Sequence, residues 1–446
     1  MEDPIQKHLA EFIASCDMSR IDEKFKADAR LRVLDWLGCA IAGAHYPQMQ
    51  IAGKLAASEG GAEEATAIGV GAKIPAKSAA FMNGIAGHVC ELDDGHRTAI
   101  GHPGSITVPV ALALGEKIGA SGADFLKAVI LGYDMFTRLG RTVNPSHYRT
   151  WHSTGTVGTV AAAAAAASIL KLNAEETNNA LGLAATMAGG LIESFGSHAK
   201  ALNIAKACEC GVLAAELAQL GFTGSHSAIT GKKGFIAATC ADPHPKHLEN
   251  PSEATLLSDT AFFKKYSSCG HTNSPLDALC ALMKAHPEIR PDTVKSIRVK
   301  TYRVSVDITS ALKCSTEDEA KFSLPYCFAV QIAFGRVGLK QFSAEVRSDE
   351  KILSLARRVE VVEDPEATAL FPRRVATVEV ELVDGTRLTE KRLNASDEAD
   401  ASLVEAKFME AAESIGEAAS RELVEIVRRI DELENLESIT AVLSKL

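Results

Sequence analysis

The chain has 446 residues, 46% hydrophobic, 23% charged and 5% aromatic. That is the make-up of an ordinary globular protein with room for two or three cores, and it excludes a disordered tail, a fibre or a mini-scaffold. With 57 Asp and Glu against 47 Lys and Arg, the net charge is -10, so no long-range positive field gathers nucleic acid or an anionic membrane.

Up to about residue 265 the apolar residues recur at three- and four-residue spacing, with capping residues where helices should begin, and the reading is helix almost throughout. Ser121-Gly-Ala-Asp124 resembles a capping box ahead of a buried stripe of Leu126, Val129, Ile130, Tyr133 and Phe136; Asn173 with Glu176 starts another helix. Val160 to Leu170, mostly alanine, has the strongest helix propensity in the chain and predicts a central, fully buried helix that neighbours approach closely. The apolar run Val157 to Leu170 falls short of the roughly 20 residues that cross a bilayer. The charged start Met1-Glu-Asp-Pro-Ile-Gln-Lys lacks the apolar core of a secretory signal, so a cytoplasmic location is expected.

The composition shifts near His271. Val294 to Tyr302 and Val375 to Leu382 alternate as strands do, Val359 to Val362 is β-branched, and Asp384-Gly385 marks a hairpin. After about residue 396 helix returns, with Leu423, Ile426, Val427 and Ile430 on one face and Glu405, Glu417, Glu422, Glu425 and Glu432 turned to water. The expected fold is therefore mainly α: a large all-helical domain, 1–267 and 397–446, with a smaller inserted α+β domain, 268–396.

Ten cysteines contain no CxxC pair, and Cys208 and Cys210 point to different helix faces, so the set reads as small buried hydrophobes. The densest polar cluster is Glu91-Leu-Asp93-Asp94-Gly95-His96-Arg97, closing with Gly101-His102-Pro103-Gly104-Ser105. Carboxylates beside histidines hold and tune an imidazole, and His102 falls just before a helix N-terminus, where an anion is favoured. The cluster also fits simple helix capping, or a metal site of Asp93, Asp94, His96 and His102.

His152 sits at the start of the alanine helix. Lys200 opens the next small-residue helix, an electrostatically poor place for a cation, and the expected remedy is a bound carboxylate beside it. Lys264-Lys265-Tyr266 and Lys321 to Tyr326 place further cations and a phenol in apolar surroundings. Gly69-Val-Gly71-Ala-Lys73 is neither a dinucleotide fingerprint nor a phosphate loop, and GxSxG and HExxH are absent. The toolkit suits proton transfer beside a carboxylate, with no cofactor and no metal expected.

The ordered set Leu34-Asp35-Trp36-Leu37-Gly38-Cys39-Ala40, Asn83-Gly84 through His88 to Asp94, Gly101-His102-Pro103-Gly104, Gly132-Tyr133, His152 with the alanine helix, Lys200, and Lys264-Lys265-Tyr266 resembles the MmgE/PrpD family. The resemblance implies a helical domain built from both chain ends, an α+β lid over an active-site cleft, a homodimer, and a small polycarboxylate as substrate. It carries over catalytic roles for His102, His152, Tyr326, Asp93 and Asp94, and substrate binding for Lys200 and Lys264; Arg97 and Arg149 are further cations able to meet the substrate's carboxylates, and Glu91 is a further contact. Family dehydratases and decarboxylases usually have Asp at Glu91 and Thr at Gly95. One extra residue also separates the acidic motif from His102, and these departures count against a dehydratase or decarboxylase; within the family the chain resembles most the iminodisuccinate epimerases, so the expectation is an isomerase working by proton removal and return at the carbon α to a carboxylate. The alternatives are a lyase, of the 2-methylcitrate dehydratase or cis-aconitate decarboxylase type, and a silent carboxylate-binding protein.

Overall fold

Small and aliphatic side chains at helical spacing build the first half of the molecule. The computed structural model describes residues 4–256, 261–395 and 401–446. Its helices up to residue 219 are α1 (Pro4–Ser15), α2 (Glu23–Gly43), α3 (Pro47–Glu59), α4 (Ala76–His88), α5 (Gly104–Ile118), α6 (Gly122–Val143), α7 (Ser153–Ile169), α8 (Ala174–Met187) and α9 (Ala199–Gln219). Every residue of α7 is buried, wrapped by α5, α6, α8 and α9. Alanine makes this possible. A Cβ built at Gly211 of α9 would lie 2.2 Å from Ala162 Cβ, so the two backbones touch with no room for a side chain. Both sequence caps are present: Ser121 accepts from the Asp124 amide, and Asn173 with Glu176 forms a reciprocal capping box.

The body is not wholly helical. Ala65–Ala67 (β1) and Ala72–Ile74 (β2) form a hairpin whose turn uses the positive φ of Gly69 and Gly71, so the dismissed glycine segment is a turn. Gly95–His96 (β3) pairs with Ala261–Phe262 (β4), a contact between distant segments. After Gln219 the chain runs largely in turns to Leu256, with one short helix, Phe235–Thr239.

A second core lies between Tyr266 and Leu382. It rests on a four-stranded sheet in the order β6-β5-β7-β8, with β5 Val294–Thr301, β6 Val359–Glu363, β7 Ala376–Leu382 and β8 Arg387–Arg392. β5 and β6 run parallel; the other pairs are antiparallel. Strict alternation along β7 buries Val378, Val380 and Leu382 against the helices Asn273–Ala285 and Leu324–Phe334. The helix Ala401–Ala411 returns to pack on α2, and Leu423, Val427 and Ile430 complete the first core. The catalytic candidates collect where the two cores meet. No helix among the described residues is long and apolar enough to cross a membrane. All ten cysteines are free thiols.

Candidate active site

The last turn of α4 delivers His88, and the loop that follows it delivers Glu91, Asp93, Asp94 and His102. Helix N-termini supply His152, at the N-cap of α7, and Lys200, in the first turn of α9; Lys264 enters just after β4. Glu91 and Ile100 both hold left-handed backbone conformations, φ 53° and 51°, which side-chain-bearing residues rarely adopt. Hydrogen bonds hold the loop in that shape. Ser267 Oγ donates to the Cys90 carbonyl at 2.7 Å, Lys321 Nζ to the Val89 carbonyl at 3.4 Å, and Lys407 Nζ to the Leu92 carbonyl at 2.5 Å.

At the centre two buried ammonium groups meet two buried carboxylates. Lys200 Nζ donates to Glu91 Oε1, and Lys264 Nζ lies 3.1 Å from Glu91 Oε2 and 3.5 Å from Asp93 Oδ1. Burial pushes the Glu91 carboxyl up, but Lys200 and Lys264 together outweigh it and hold the group well below the usual carboxylate range. Asp93 is held low as well, against burial, by the hydrogen bond from His88 and the Lys264 ammonium. Burial lowers Lys264, and its two carboxylates more than reverse that. The carboxylate that Lys200 needs at its helix start is thus Glu91 of the chain itself.

Hydrogen bonding assigns the histidine tautomers. Lys200 Nζ lies 2.7 Å from His88 Nε2; an ammonium only donates, so Nε2 accepts, and Nδ1 donates to Asp93 Oδ2 at 2.8 Å. His102 Nδ1 donates to the Asp94 carbonyl at 2.6 Å, leaving Nε2 as an open lone pair at the cavity. Asn203 Nδ2 faces the Leu191 carbonyl at 3.5 Å and the Ser194 hydroxyl at 3.0 Å, which fixes its amide orientation. It therefore donates to His152 Nδ1 at 3.2 Å, and the His152 proton resides on Nε2. Burial pushes both imidazoles well below their usual value; Lys264 and Lys200 add to this at His102, and Lys200 at His152.

The cavity between these groups is bounded by Ile100, Tyr148, Phe195, Phe262, His271 and Arg374. Its open space is about 20 Å³, room for about one water molecule. A larger groove of about 560 Å³ lies behind Lys264, among Tyr266, Met283, Leu339 and Lys407, and no imidazole lines it.

The structure thus gathers His102, His152, Asp93, Glu91, Lys200 and Lys264, and it places four other residues elsewhere. Tyr326 is turned into the second core, where its hydroxyl donates to the Gln341 carbonyl at 2.7 Å and its ring packs on Phe342. Arg149 is exposed on a surface turn, and its neighbour Tyr148 is the residue that lines the cavity. Arg97 is buried behind Phe262, with its guanidinium 4.9 Å from the ring centroid and Nη2 donating to Ala395 O at 3.1 Å. Asp94 faces Arg32 at 3.7 Å and accepts the Gly104 amide at 3.1 Å; it steadies His102 through its carbonyl rather than its carboxylate. Burial, with Asp35 and Asp93 nearby, outweighs Arg32 and pushes that carboxyl up to about 8. The metal grouping of Asp93, Asp94, His96 and His102 does not form: among the described residues, Asp94 and His96 do not bring ligand atoms to Asp93 and His102. His88, Asp93 and His102 do bring ligand atoms within 4.8 Å of one another, but two ammonium groups crowd the same carboxylates and oppose a cation there.

Sequence reasoning gave no site role to His88, Tyr148, His271 or Arg374. His88 carried a usable signal, since it lies three residues before Glu91 at the end of a helix. The other three stand in no motif.

The family model of the MmgE/PrpD N-terminal domain matches residues 7–248, and that of the MmgE/PrpD C-terminal domain matches 266–432. Human cis-aconitate decarboxylase is 26% identical, covering 98% of this chain and 94% of its own length. The cis-aconitate decarboxylase of Aspergillus terreus is 25% identical over 93% and 91%, and a cis-aconitate decarboxylase-like protein of Aspergillus oryzae is 26% identical over 86% and 85%. These relatives are named for a lyase reaction. That overturns the expectation of an isomerase.

Proposed function

Because the chain belongs to the MmgE/PrpD family, we propose that it is a lyase on a small polycarboxylate, releasing carbon dioxide from an unsaturated tricarboxylate of the cis-aconitate type. The observation that carries this reading is the buried pair Lys200 and Lys264 set beside an imidazole, His102, whose Nε2 is open to the cavity.

In cis-aconitate one carboxylate sits on the methylene carbon next to the double bond. When its C–C bond breaks, that electron pair forms a new double bond to the central carbon. The old double-bond pair moves to the outer carbon and spreads into the carboxylate there as an enediolate. One proton added at that carbon completes a methylene dicarboxylate, so the trianion and one proton become carbon dioxide and a dianion. The chain's residues serve the two demanding moments. Lys200 donates to the developing enediolate, with the Lys264 charge behind it, and a preorganised donor of this kind is worth roughly 10²–10³ in rate. A charged acid must supply the proton.

At rest His102 is neutral, because burial and the two lysines push its pKa down. A bound trianion reverses the local field, and Nε2 then takes up a proton, with Asp93 Oδ2 3.4 Å from Nδ1 to steady the imidazolium. The left-handed Glu91 supports this balance. Its longer side chain reaches both lysines at once, so the departure from the usual family Asp keeps a carboxylate between them. A cavity with room for about one water must widen to admit a six-carbon acid, and separation of the second unit from the helical body provides the route.

The test is to incubate the protein with cis-aconitate and follow carbon dioxide release together with the appearance of the terminal methylene protons of the product by NMR. The reading predicts equal amounts of carbon dioxide and methylene dicarboxylate, and loss of at least a hundredfold in rate for His102→Gln. No carbon dioxide from wild-type protein would overturn it.

A further inference from the structure

Lys200 is the conspicuous cation of the cavity, with Lys264 behind it, but the chain already balances both with Glu91 and Asp93. The histidines that border it, His102, His152 and His271, are all pushed to the neutral side by burial. One further cation borders the same space, Arg374 from the loop ahead of β7. It is 6% exposed, and among the described residues it makes no ion pair. Its one hydrogen bond from the guanidinium runs from Nη1 to the Gly270 carbonyl at 2.8 Å. No carboxylate answers its charge among the described residues: Tyr148, His271 and Tyr302 feel it, its guanidinium lies 5.3 Å from the Phe262 ring centroid, and the nearby Arg97 on the same ring is a like charge.

A desolvated guanidinium with most of its donors unspent is costly unless an anion joins it. The chain is shaped around it. A Cβ at Gly270 would come within 2.8 Å of Arg374 Nη1, so a glycine clears its seat. A Cβ at Gly95 would meet the Phe262 ring at 2.6 Å, so the aromatic shelf under Arg374 exists only because residue 95 has no side chain.

We infer that Arg374 is the specificity-determining anchor for one terminal carboxylate of the substrate, the group that separates tricarboxylates from dicarboxylates. The planar guanidinium donates two parallel N–H bonds to that carboxylate while Phe262 supports its face. This rests on the polycarboxylate reading above and adds to it which carboxylate the chain selects and with what.

The test is calorimetric binding of two inert probes, propane-1,2,3-tricarboxylate and methylbutanedioate, which lacks one terminal carboxylate, to wild-type protein, Arg374→Gln and Arg374→Lys. Wild type should prefer the tricarboxylate. Arg374→Gln should weaken the tricarboxylate about 10- to 100-fold, leave methylbutanedioate within about twofold, and leave the melting temperature unchanged or raised. Arg374→Lys should recover part of the loss, a point charge in place of a fork. Equal losses for both probes with a lowered melting temperature would mean a structural role and overturn the inference, as would no change for either probe. If wild-type protein binds neither probe, the polycarboxylate reading falls and the inference with it. A selective effect of Arg374→Gln in a protein that releases no carbon dioxide from cis-aconitate sustains the anchor and overturns only the reaction.

Discussion

Lys264→Met removes the most deeply buried charge in the site while nearly keeping its volume. The ammonium is fully buried, 3.1 Å from Glu91 and 3.5 Å from Asp93. At an effective dielectric constant near 20 each contact is worth about 5 kcal/mol before desolvation. Burying the ammonium returns much of that, so the pair's net worth is small, but removing one partner leaves two carboxylates to share Lys200. Breaking a buried pair in this way costs about 3–5 kcal/mol. The variant lowers that cost by keeping a proton on one carboxyl, whose folded pKa is then raised. Stability gained from a raised carboxyl is present at low pH and is lost as pH rises through the new value, so the deficit should be largest under alkaline conditions. Urea unfolding at about pH 8 and about pH 5.5 should show a deficit of about 3–5 kcal/mol at the higher pH and clearly less at the lower. A deficit below about 1 kcal/mol, equal at both values, would refute the charge-balanced cluster, because it is smaller than the cost of one uncompensated buried charge.

Three further outcomes follow from the same geometry. Binding of propane-1,2,3-tricarboxylate near neutral pH should draw about one proton from solution, seen as a dependence of calorimetric heat on buffer ionisation enthalpy, and His102→Gln should abolish the uptake. Asp94, pushed up to about 8 by burial, holds its proton in the fold when the unfolded chain has lost it. Its stabilising effect therefore fades as pH rises through that value, and wild-type protein should lose about 2 kcal/mol relative to Asp94→Asn between pH 6.5 and 8, with a flat difference counting against the assignment. Tyr326→Phe should keep kcat within about twofold and cost about 1 kcal/mol of stability, the value of its bond to the Gln341 carbonyl; a kcat loss of a hundredfold would put the phenol back in the mechanism.

What the sequence made legible was governed by local rules. The alanine run sets α7 by propensity, Ser121 and Asn173 cap their helices through the next few residues, and β5 and β7 declare themselves by alternation. Features that depend on distant partners stayed hidden. The two-residue pairing of Gly95–His96 with Ala261–Phe262 spans most of the helical body and leaves no periodic trace. Of two adjacent lysines, Lys264 turns inward and Lys265 outward to Asp277, a choice that composition does not settle. Tyr326 looked like a phenol stranded in an apolar helix, but its hydroxyl is satisfied by a carbonyl from the loop that follows the helix. Arg374 follows Arg373 in a loop without a motif, and only the cavity shows which of the two faces it. The case against a decarboxylase leaned on departures such as Glu91 and Gly95, read without the space around them. In the structure one bridges both lysines, and the other makes room for a ring.

The central claim is tested most directly by proton NMR of cis-aconitate with the protein in heavy water. A lyase of the proposed kind gives carbon dioxide and a methylene dicarboxylate carrying one deuterium at the carbon that received the proton. Recovery of the tricarboxylate, with or without deuterium exchanged into it and with no carbon dioxide formed, would contradict the account.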